Sequence, residues 1–328
     1  MTAPPMDRGV AVISIDTELA WGESHRRAGD GPGHDYGAER AAIDRLLEIL
    51  DRHELPATWA IVGHLFLDRC ERSNGRPHPE IVRPDFDWLD GDWFDVDPCS
   101  NAREAPFFYG PDLIERIRAC RVTQEIGCHS FAHVMAGDEG CSADAFRSDL
   151  AACTARAAHH GLTLRSFVFP RNSVGHVDRL AEAGFTSYRG RPGRPFADRG
   201  EAARRGLRLI DRVRPLAGSA VRPERDELGV WNIPQTFLFA PATHHRRVPI
   251  GLWARGPIGR LRQAARHGSL FHLWFHPYNV TADPERALDG FERVCAEATR
   301  LRSRDRLDIL SMGELAERLS LKDQLSGR

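Results

Sequence analysis

Residues 125–133 have the sequence Glu-Ile-Gly-Cys-His-Ser-Phe-Ala-His, a short apolar segment that ends in two histidines. The apolar start is typical of a buried strand, and the polar residues after Cys128 predict that the strand ends there. His129 and His133 are four positions apart, so on one helical turn their imidazoles would lie within reach of a single divalent metal. The same spacing also suits capping, core or surface histidines, and other residues of the chain must decide between these roles.

Similar apolar runs recur along the chain and alternate with stretches of helical spacing. The predicted strands are 10–15, 57–62, 125–128, 166–169, 186–189, 229–233, 270–275 and 307–310. The predicted helices are 38–53, 112–119, 142–160, 176–183, 258–266 and 284–302. This alternation favours a parallel sheet covered by helices, either an open doubly wound sheet or a closed β/α barrel. We find no repeat and no linker, so residues 1–328 are predicted to form a single domain.

The bulk composition is that of an ordinary globular protein and gives little information about partners. Lys plus Arg number 45 against 46 for Asp plus Glu, so the net charge of −1 provides no argument for nucleic acid as a partner. The sequence contains no apolar run of signal-peptide or membrane-span length, which predicts a cytoplasmic protein without a membrane span. The seven cysteines are scattered and include no C-x-x-C pair, which argues against a zinc knuckle. The oligomeric state stays open.

Several chemically capable side chains follow directly after predicted strands. Asp16, His129, Arg171 and His276 each stand at or just beyond the end of an apolar run. In β/α folds the carboxyl ends of the strands meet at one rim, so these four residues are predicted to come together there. His272 lies on the same face of its strand as His276 and is either a further member of this group or a buried, hydrogen-bonded imidazole.

Two predicted loops on this rim are long, at residues 23–36 and 64–110. The second loop combines several aspartates with tryptophans and phenylalanines. Loops longer than about 15 residues in a compact domain are commonly functional. Aromatic rings and carboxylates together suit a sugar-binding wall, because rings cover apolar sugar faces and carboxylates accept hydroxyl protons. The alternative is a surface excursion held in place by its own aromatic residues.

Four segments at the ends of predicted strands carry a family resemblance when they are taken in order. They are Ser14-Ile15-Asp16-Thr17-Glu18, His129-Ser130-Phe131-Ala132-His133, Phe167-Val168-Phe169-Pro170-Arg171-Asn172 and Leu273-Trp274-Phe275-His276. Together they resemble the motifs of the polysaccharide deacetylase family over about residues 10–276. The resemblance implies a distorted seven-stranded β/α barrel and metal-dependent hydrolysis of N-acetyl groups on amino sugars. It further implies that His129 and His133 bind the metal, that Asp16 is the catalytic base and that His276 is the general acid.

This sequence departs from the family pattern in two places. The family has a second, metal-binding aspartate where this chain has Thr17, and Glu18 is the nearest carboxylate able to complete a two-histidine, one-carboxylate site if the chain stays extended. Asp16 and Thr17 remain the alternatives for that third ligand. Val168 stands where the family usually has an arginine that orients the base. We predict that Arg171 takes over this catalytic role by pairing with Asp16 and lowering its pKa, the alternative being a surface arginine.

The sequence thus predicts a hydrolase that acts on carbon–nitrogen bonds other than peptide bonds and holds one divalent metal. Zinc is the metal we expect, with cobalt, nickel and manganese as alternatives. The expected substrate is an N-acetylated amino sugar in an intracellular glycan precursor, a sugar nucleotide or a glycosylated metabolite. The alternative functions are hydrolysis of a cyclic or small-molecule amide on the same fold, hydrolysis of O-acetyl sugars, and carbohydrate binding without catalysis.

Overall fold

The computed structural model describes residues 6–23, 33–191, 221–241 and 248–326, and the strands of these residues form one sheet. The strands are β1 (Gly9–Thr17), β2 (Thr58–Ile61), β3 (Glu125–Cys128), β4 (Ser166–Val168), β5 (Ser187–Arg189), β6 (Glu224–Arg225), β7 (Trp231–Asn232), β8 (Phe237–Leu238), β9 (Leu270–Phe275) and β10 (Leu307–Ile309). All eight predicted strands are confirmed. The short strands β6 and β8 are additional.

The sheet is curled and almost entirely parallel. Its order is β6-β7-β5-β4-β3-β2-β1-β9-β8, and β10 pairs with the start of β1. Within the described residues the pairing of β6 with β7 is antiparallel, whereas the other strand pairs are parallel. The predicted α/β fold with a distorted barrel in a single domain is therefore confirmed. The described part of the sheet has ten strands rather than the expected seven, since short strands extend its ends and β10 adds beside β1.

Strand β1 lies inside the sheet, between β2 and β9, and all nine of its residues are buried. Burial on both faces is expected for a parallel strand, because helices cover the outside of the sheet. Val10 and Val12 belong to the apolar cluster on the concave face, whereas Ile13 and Ile15 belong to the larger cluster beneath the helices. Side chains alternate along a strand, so Asp16 continues the concave face that begins at Val10.

The helices pack around this sheet. They are α1 (Tyr36–His53), α2 (Pro111–Arg118), α3 (Ala143–His159), α4 (Val177–Glu182), α5 (Ile250–Trp253), α6 (Arg255–His267), α7 (Pro284–Arg302) and α8 (Met312–Ser326). The helical spacing of the sequence predicts six of them, and α5 and α8 are additional. Met312, Leu315 and Leu319 of α8 join the apolar cluster of the concave face. In the described part of the chain, no helix combines the length and the apolar character needed to cross a bilayer.

Helix α1 shows how a sequence pattern becomes packing. Asp35 caps the helix by accepting a hydrogen bond from the backbone N–H of Ala38 at 3.0 Å, which satisfies one of the free donors of the first turn. The apolar face of the helix, formed by Ile43, Leu46, Leu47 and Leu50, is buried. Each such side chain contributes about 1.5–3 kcal/mol to folding through its removal from water.

The long loop predicted at residues 64–110 connects β2 to α2. After the 3-10 turn Gly63–Phe66 it contains no helix or strand of its own, only two isolated bridges. Phe86, Trp93 and Phe94 of the loop are nevertheless buried. The indole N–H of Trp93 donates to the carbonyl oxygen of Ala132 at 2.9 Å, so the loop is fastened to the segment that carries His129 and His133.

Candidate active site at the carboxyl ends of the strands

The end of β1 presents two carboxylates to the same side. Because the strand stays extended as far as Thr17, Asp16 and Glu18 are two positions apart on one face. The chain then turns at Leu19, whose φ is 49°, into a 3-10 turn. Asp16 and Glu18 are only 2% and 6% exposed. Oxygens of both carboxylates lie within 4.8 Å of a ring nitrogen of His276, as expected if strand ends converge at one rim.

His129 and His133 lie in a loop after β3 rather than on a helical turn. Ser130 and His133 both have positive φ values, 65° and 61°, so the chain curls tightly and brings the two imidazoles to one side. Asp149 of α3 holds this curl, because its carboxylate accepts the Ser130 hydroxyl at 2.9 Å and the Phe131 backbone N–H at 2.9 Å. Burial raises the pKa of Asp149 to about 6, against the effect of these hydrogen bonds.

Glu18 is the meeting point of three imidazoles. Its Oε1 lies 2.8 Å from Nε2 of His129, 3.2 Å from Nε2 of His133 and 3.2 Å from Nε2 of His276. Burial opposes a charge on Glu18, but the nearby imidazoles hold its pKa well below the ordinary value. Glu18 is therefore an ionised acceptor in a buried site, and the predicted set Glu18, His129 and His133 is brought together.

The hydrogen bonds of His129 fit metal binding. Its Nδ1 lies 2.7 Å from the carbonyl oxygen of Val168, and a carbonyl can only accept, so Nδ1 carries the proton. When this ring is neutral, as a metal ligand must be, its lone pair is on Nε2, the atom that faces Glu18. A backbone acceptor on the far nitrogen is the usual way to orient a metal-binding imidazole. Two imidazole nitrogens and one carboxylate oxygen are a donor set that suits zinc and similar divalent ions.

Thr17 does not take part in this group. Its side chain is fully buried, and its hydroxyl oxygen has no hydrogen-bond partner among the described residues. Thr17 and Glu18 are the two candidates for the third ligand that follow Asp16. Of these two, only Glu18 contacts the two histidines.

Asp16 is clamped by an arginine, although not by the predicted one. Both of its carboxylate oxygens accept hydrogen bonds of 2.6 Å from Nη1 and Nη2 of Arg189, which is 1% exposed. The guanidinium carbon lies 4.5 Å from the centre of the Trp274 ring. Burial opposes the charge of Asp16, but Arg189 and His276 lower its pKa. A planar fork of this kind fixes both the charge and the direction of the carboxylate.

The predicted pairing of Arg171 with Asp16 is wrong. Arg171 lies in the 3-10 turn after β4, has a positive φ of 52° and is exposed. Arg189 ends the neighbouring strand β5 and reaches Asp16 from there. The sequence did contain a signal for Arg189, because it closes the predicted strand 186–189 and the strand-end rule applies to it as well.

His276 closes the group from the end of β9. Its Nε2 lies 3.6 Å from Asp16 as well as 3.2 Å from Glu18, and its ring stacks on Tyr278 with centroids 4.5 Å apart. Burial favours the neutral ring, but the two carboxylates outweigh it and raise the pKa of His276 to about 9. His276 is therefore a proton donor at neutral pH.

His272 is a buried, hydrogen-bonded imidazole, which was the second of its two interpretations. Its Nδ1 donates to the carbonyl oxygen of Ile233 at 3.1 Å, and its Nε2 accepts from the hydroxyl of Ser14 at 2.9 Å. Burial lowers the pKa of His272 to about 3. Since Ser14 in turn accepts a hydrogen bond from Arg189 at 3.0 Å, His272 supports the arginine that holds Asp16.

Most aromatic residues of the long loop do not form an open wall. Phe86, Trp93 and Phe94 are at most 3% exposed and pack as the core of the loop itself, which favours the interpretation as an excursion held by its own aromatics. Trp88 is the exception, with 48% of its surface exposed. Near the end of the loop, Phe107 packs against Tyr36 of α1, the ring centroids being 5.4 Å apart.

Solved structures with the same fold come from polysaccharide deacetylases and an allantoinase. A protein assigned as a polysaccharide deacetylase from Mycobacterium smegmatis matches with a TM-score of 0.57 and 15% identity over 98% of this chain and 96% of that one. Another from Pseudomonas aeruginosa PAO1 matches with a TM-score of 0.59 and 12% identity over 96% and 93%. Puue allantoinase matches with a TM-score of 0.57 and 11% identity over 94% and 90%.

These likenesses show a shared fold. No family model matches the sequence, and no curated protein matches it either. The chain therefore has the fold of the polysaccharide deacetylases, as its four strand-end segments predicted. Because the sequence identities are only 11–15%, the reaction must be argued from the residues of the site.

Proposed function

We propose that this protein is a metal-dependent hydrolase that removes an N-acetyl group from an amino sugar. The observation that carries the proposal is the convergence of Glu18, His129 and His133 beside the Asp16–Arg189 pair and His276. This arrangement supplies a metal-binding set, an oriented base and a protonated acid on one rim. The shared fold with polysaccharide deacetylases supports the same reaction class.

Glu18, His129 and His133 would hold one divalent metal, with zinc as the expected ion. When bound, such a metal polarises the acetamide carbonyl and lowers the pKa of a bound water. Burial of all three side chains excludes bulk water from the site and strengthens every charge interaction within it. Cobalt, nickel or manganese would bind to the same three side chains.

The remaining residues divide the proton transfers between them. Asp16, ionised and oriented by Arg189, takes the proton of the water that adds to the acetamide carbon. His276 carries a proton at neutral pH and donates it to the amine nitrogen as the carbon–nitrogen bond breaks. The products are acetate and a free amine, so one water is consumed and the protons balance.

We expect the substrate to be an amino sugar within a glycan precursor, a sugar nucleotide or a glycosylated metabolite. The likeness to an allantoinase of equal TM-score supports hydrolysis of a cyclic amide as the second candidate function. Both reactions need a polarised carbonyl, a base and an acid, so the same residues serve either. Substrate shape distinguishes them, because a cyclic amide releases no acetate.

The test is a substrate panel assayed with protein of known metal content. We expect acetate release from N-acetylglucosamine derivatives, loss of that activity in His129→Ala, and wild-type activity in the control His267→Ala, whose side chain is exposed on α6. Ring opening of hydantoin without any acetate release would replace the first candidate by the second. Undiminished acetate release by metal-free wild-type protein would refute the metal-dependent mechanism.

A further inference from the structure

A second group of metal-binding side chains lies inside the long loop, apart from the rim. His64, Cys70, His78 and Asp97 each direct one ligand atom to a common point, and these atoms all lie within 4.8 Å of one another. None of the four is more than 9% exposed. We propose that this group is a structural binding site for one divalent metal of the zinc class.

Four of the six distances between these atoms are close to those of a tetrahedral site. Nε2 of His64 lies 3.0 Å from Nε2 of His78 and 3.1 Å from Oδ2 of Asp97. The same oxygen lies 3.2 Å from Nε2 of His78 and 3.1 Å from Sγ of Cys70. Metal bonds of about 2.0–2.3 Å place tetrahedral ligands about 3.3–3.7 Å apart, so an ion needs only a small outward movement of these side chains.

The outer hydrogen bonds leave the inward atoms available. Nδ1 of His64 donates to the carbonyl oxygen of Phe108 at 3.0 Å, which places the lone pair of the neutral ring on Nε2. Oδ1 of Asp97 accepts the Tyr109 hydroxyl at 2.9 Å and the Cys99 backbone N–H at 2.9 Å. Its other oxygen, Oδ2, is thereby turned towards the two imidazoles. Such outer partners are what orient the ligands in known metal sites.

A single cation can contact all four inward atoms of this cluster. A proton bridges two of the four inward atoms at a time, whereas a tetrahedral ion contacts all four at once. Nitrogen and thiolate donors together select zinc-like ions and disfavour calcium or magnesium, which bind oxygen. Since four protein atoms fill the coordination shell, no position remains for substrate or water, and the site is structural rather than catalytic.

The position of the site explains what it would stabilise. The loop has no helix or strand between residue 67 and α2, so it lacks a regular hydrogen-bonding framework. His64 lies in the 3-10 turn after β2 and packs against Trp21, the ring centroids being 4.4 Å apart. Trp21 lies in the turn after Glu18, and its indole N–H shares the Phe108 carbonyl with His64. A metal here fastens the loop beside the rim.

Cobalt distinguishes this site from the rim, because only the loop site contains a thiolate. Protein produced in cobalt-supplemented minimal medium should contain two ions per chain and show a thiolate-to-cobalt charge-transfer band in the near ultraviolet. His129→Ala should keep the band whether or not the proposed catalytic function is right, and it should lose one of the two ions if the rim binds a metal as proposed. Cys70→Ala should lose the band, and Cys99→Ala, which removes a neighbouring thiol outside the ligand set, should keep it.

Two results would overturn the proposal. One is folded wild-type protein that contains cobalt but shows no thiolate band. The other is a band that survives in Cys70→Ala and disappears in Cys99→Ala. The wild-type spectrum decides the question even if Cys70→Ala does not fold, because it is measured on the intact chain.

Discussion

The rim of the barrel and the long loop beside it both bring histidines and carboxylates together in buried surroundings, but they do so by different means. At the rim, Glu18 and His276 come from the ends of β1 and β9, and the parallel register of the sheet sets their separation. In the loop, His64 and Asp97 come from one continuous segment that contains no strand or α-helix, and local turns set their separation. The same residue types are therefore positioned by the sheet in one region and by their own contacts in the other.

The two regions also differ in what they leave open. The side chain of His276 retains 15% exposure at the rim, so a substrate can approach the proton it carries. In the loop, four protein atoms enclose the central point, and a bound ion would have no free position. Whether such a group performs chemistry or stabilises structure therefore depends on accessibility more than on residue type.

The largest expected effect is on the rate at the rim. In Asp16→Asn the base is lost while Glu18, His129 and His133 remain, so acetate release should fall by about 10²–10⁴-fold with two ions per chain still bound. Steady-state kinetics and metal analysis on the same preparation measure both quantities. Loss of the rim ion in this variant would instead make Asp16 a metal ligand.

A matched control for this variant lies one residue away. Because the hydroxyl of Thr17 has no hydrogen-bond partner among the described residues, Thr17→Val should keep the wild-type rate and both ions. Loss of the rim ion in Thr17→Val would show that Thr17, and not Glu18, is the third ligand.

The next effect concerns the stability of the rim. Arg189→Met leaves Asp16 buried without its partner, and removal of one member of a buried ion pair costs about 3–5 kcal/mol. Urea unfolding should show this loss, whereas Arg171→Met should change the free energy of unfolding by less than about 0.5 kcal/mol, since Arg171 is exposed. Equal losses in the two variants would contradict the assignment of Arg189 to Asp16.

A smaller effect should be confined to the loop. Tyr109→Phe removes the hydroxyl that holds Oδ1 of Asp97, and loss of such an outer partner weakens metal binding by about 10–100-fold. Competition with a chelator should therefore release one ion earlier than in wild-type protein, and the rim ion should be released at the same chelator concentration in both. A change at the rim instead would mean that the two regions are not independent.

The rim could be predicted from the sequence in large part. The lengths of the apolar runs indicate where each strand ends, so Asp16, His129 and His276 can be assigned to one rim from the sequence alone. The partner of Asp16 could not be assigned in this way. Which buried charge faces a carboxylate depends on how far each strand reaches across the curled sheet, and Arg189 reaches Asp16 whereas Arg171 turns outward.

The cluster in the loop gave no such signal. Its ligands are unequally spaced over residues 64–97, lie outside strands and α-helices, and include one cysteine rather than a C-x-x-C pair. Periodicity predicts faces of helices and strands, and it carries no information about a segment whose shape is set by side-chain contacts such as those of Arg83 with Asp92. The convergence of these four side chains is therefore visible only in the folded structure.

The smallest expected effect lies outside both regions. It measures how much an ion pair that takes no part in metal binding contributes to the free energy of unfolding. Glu297 of α7 accepts from Arg262 of α6 at 2.8 Å and from Arg300 at 2.8 Å, and Arg300, outweighing burial, lowers the pKa of Glu297 to about 2. Since the ordinary value is 4.5, this stabilisation is present above pH 4.5 and is lost as the pH falls towards 2. Glu297→Gln should lower the free energy of unfolding by about 1 kcal/mol at pH 7 and by less at pH 3. The control Glu285→Gln, which alters an exposed carboxylate, should leave the free energy of unfolding almost unchanged at pH 7 and at pH 3. Both variants should retain two ions, because neither residue belongs to the rim or to the loop cluster.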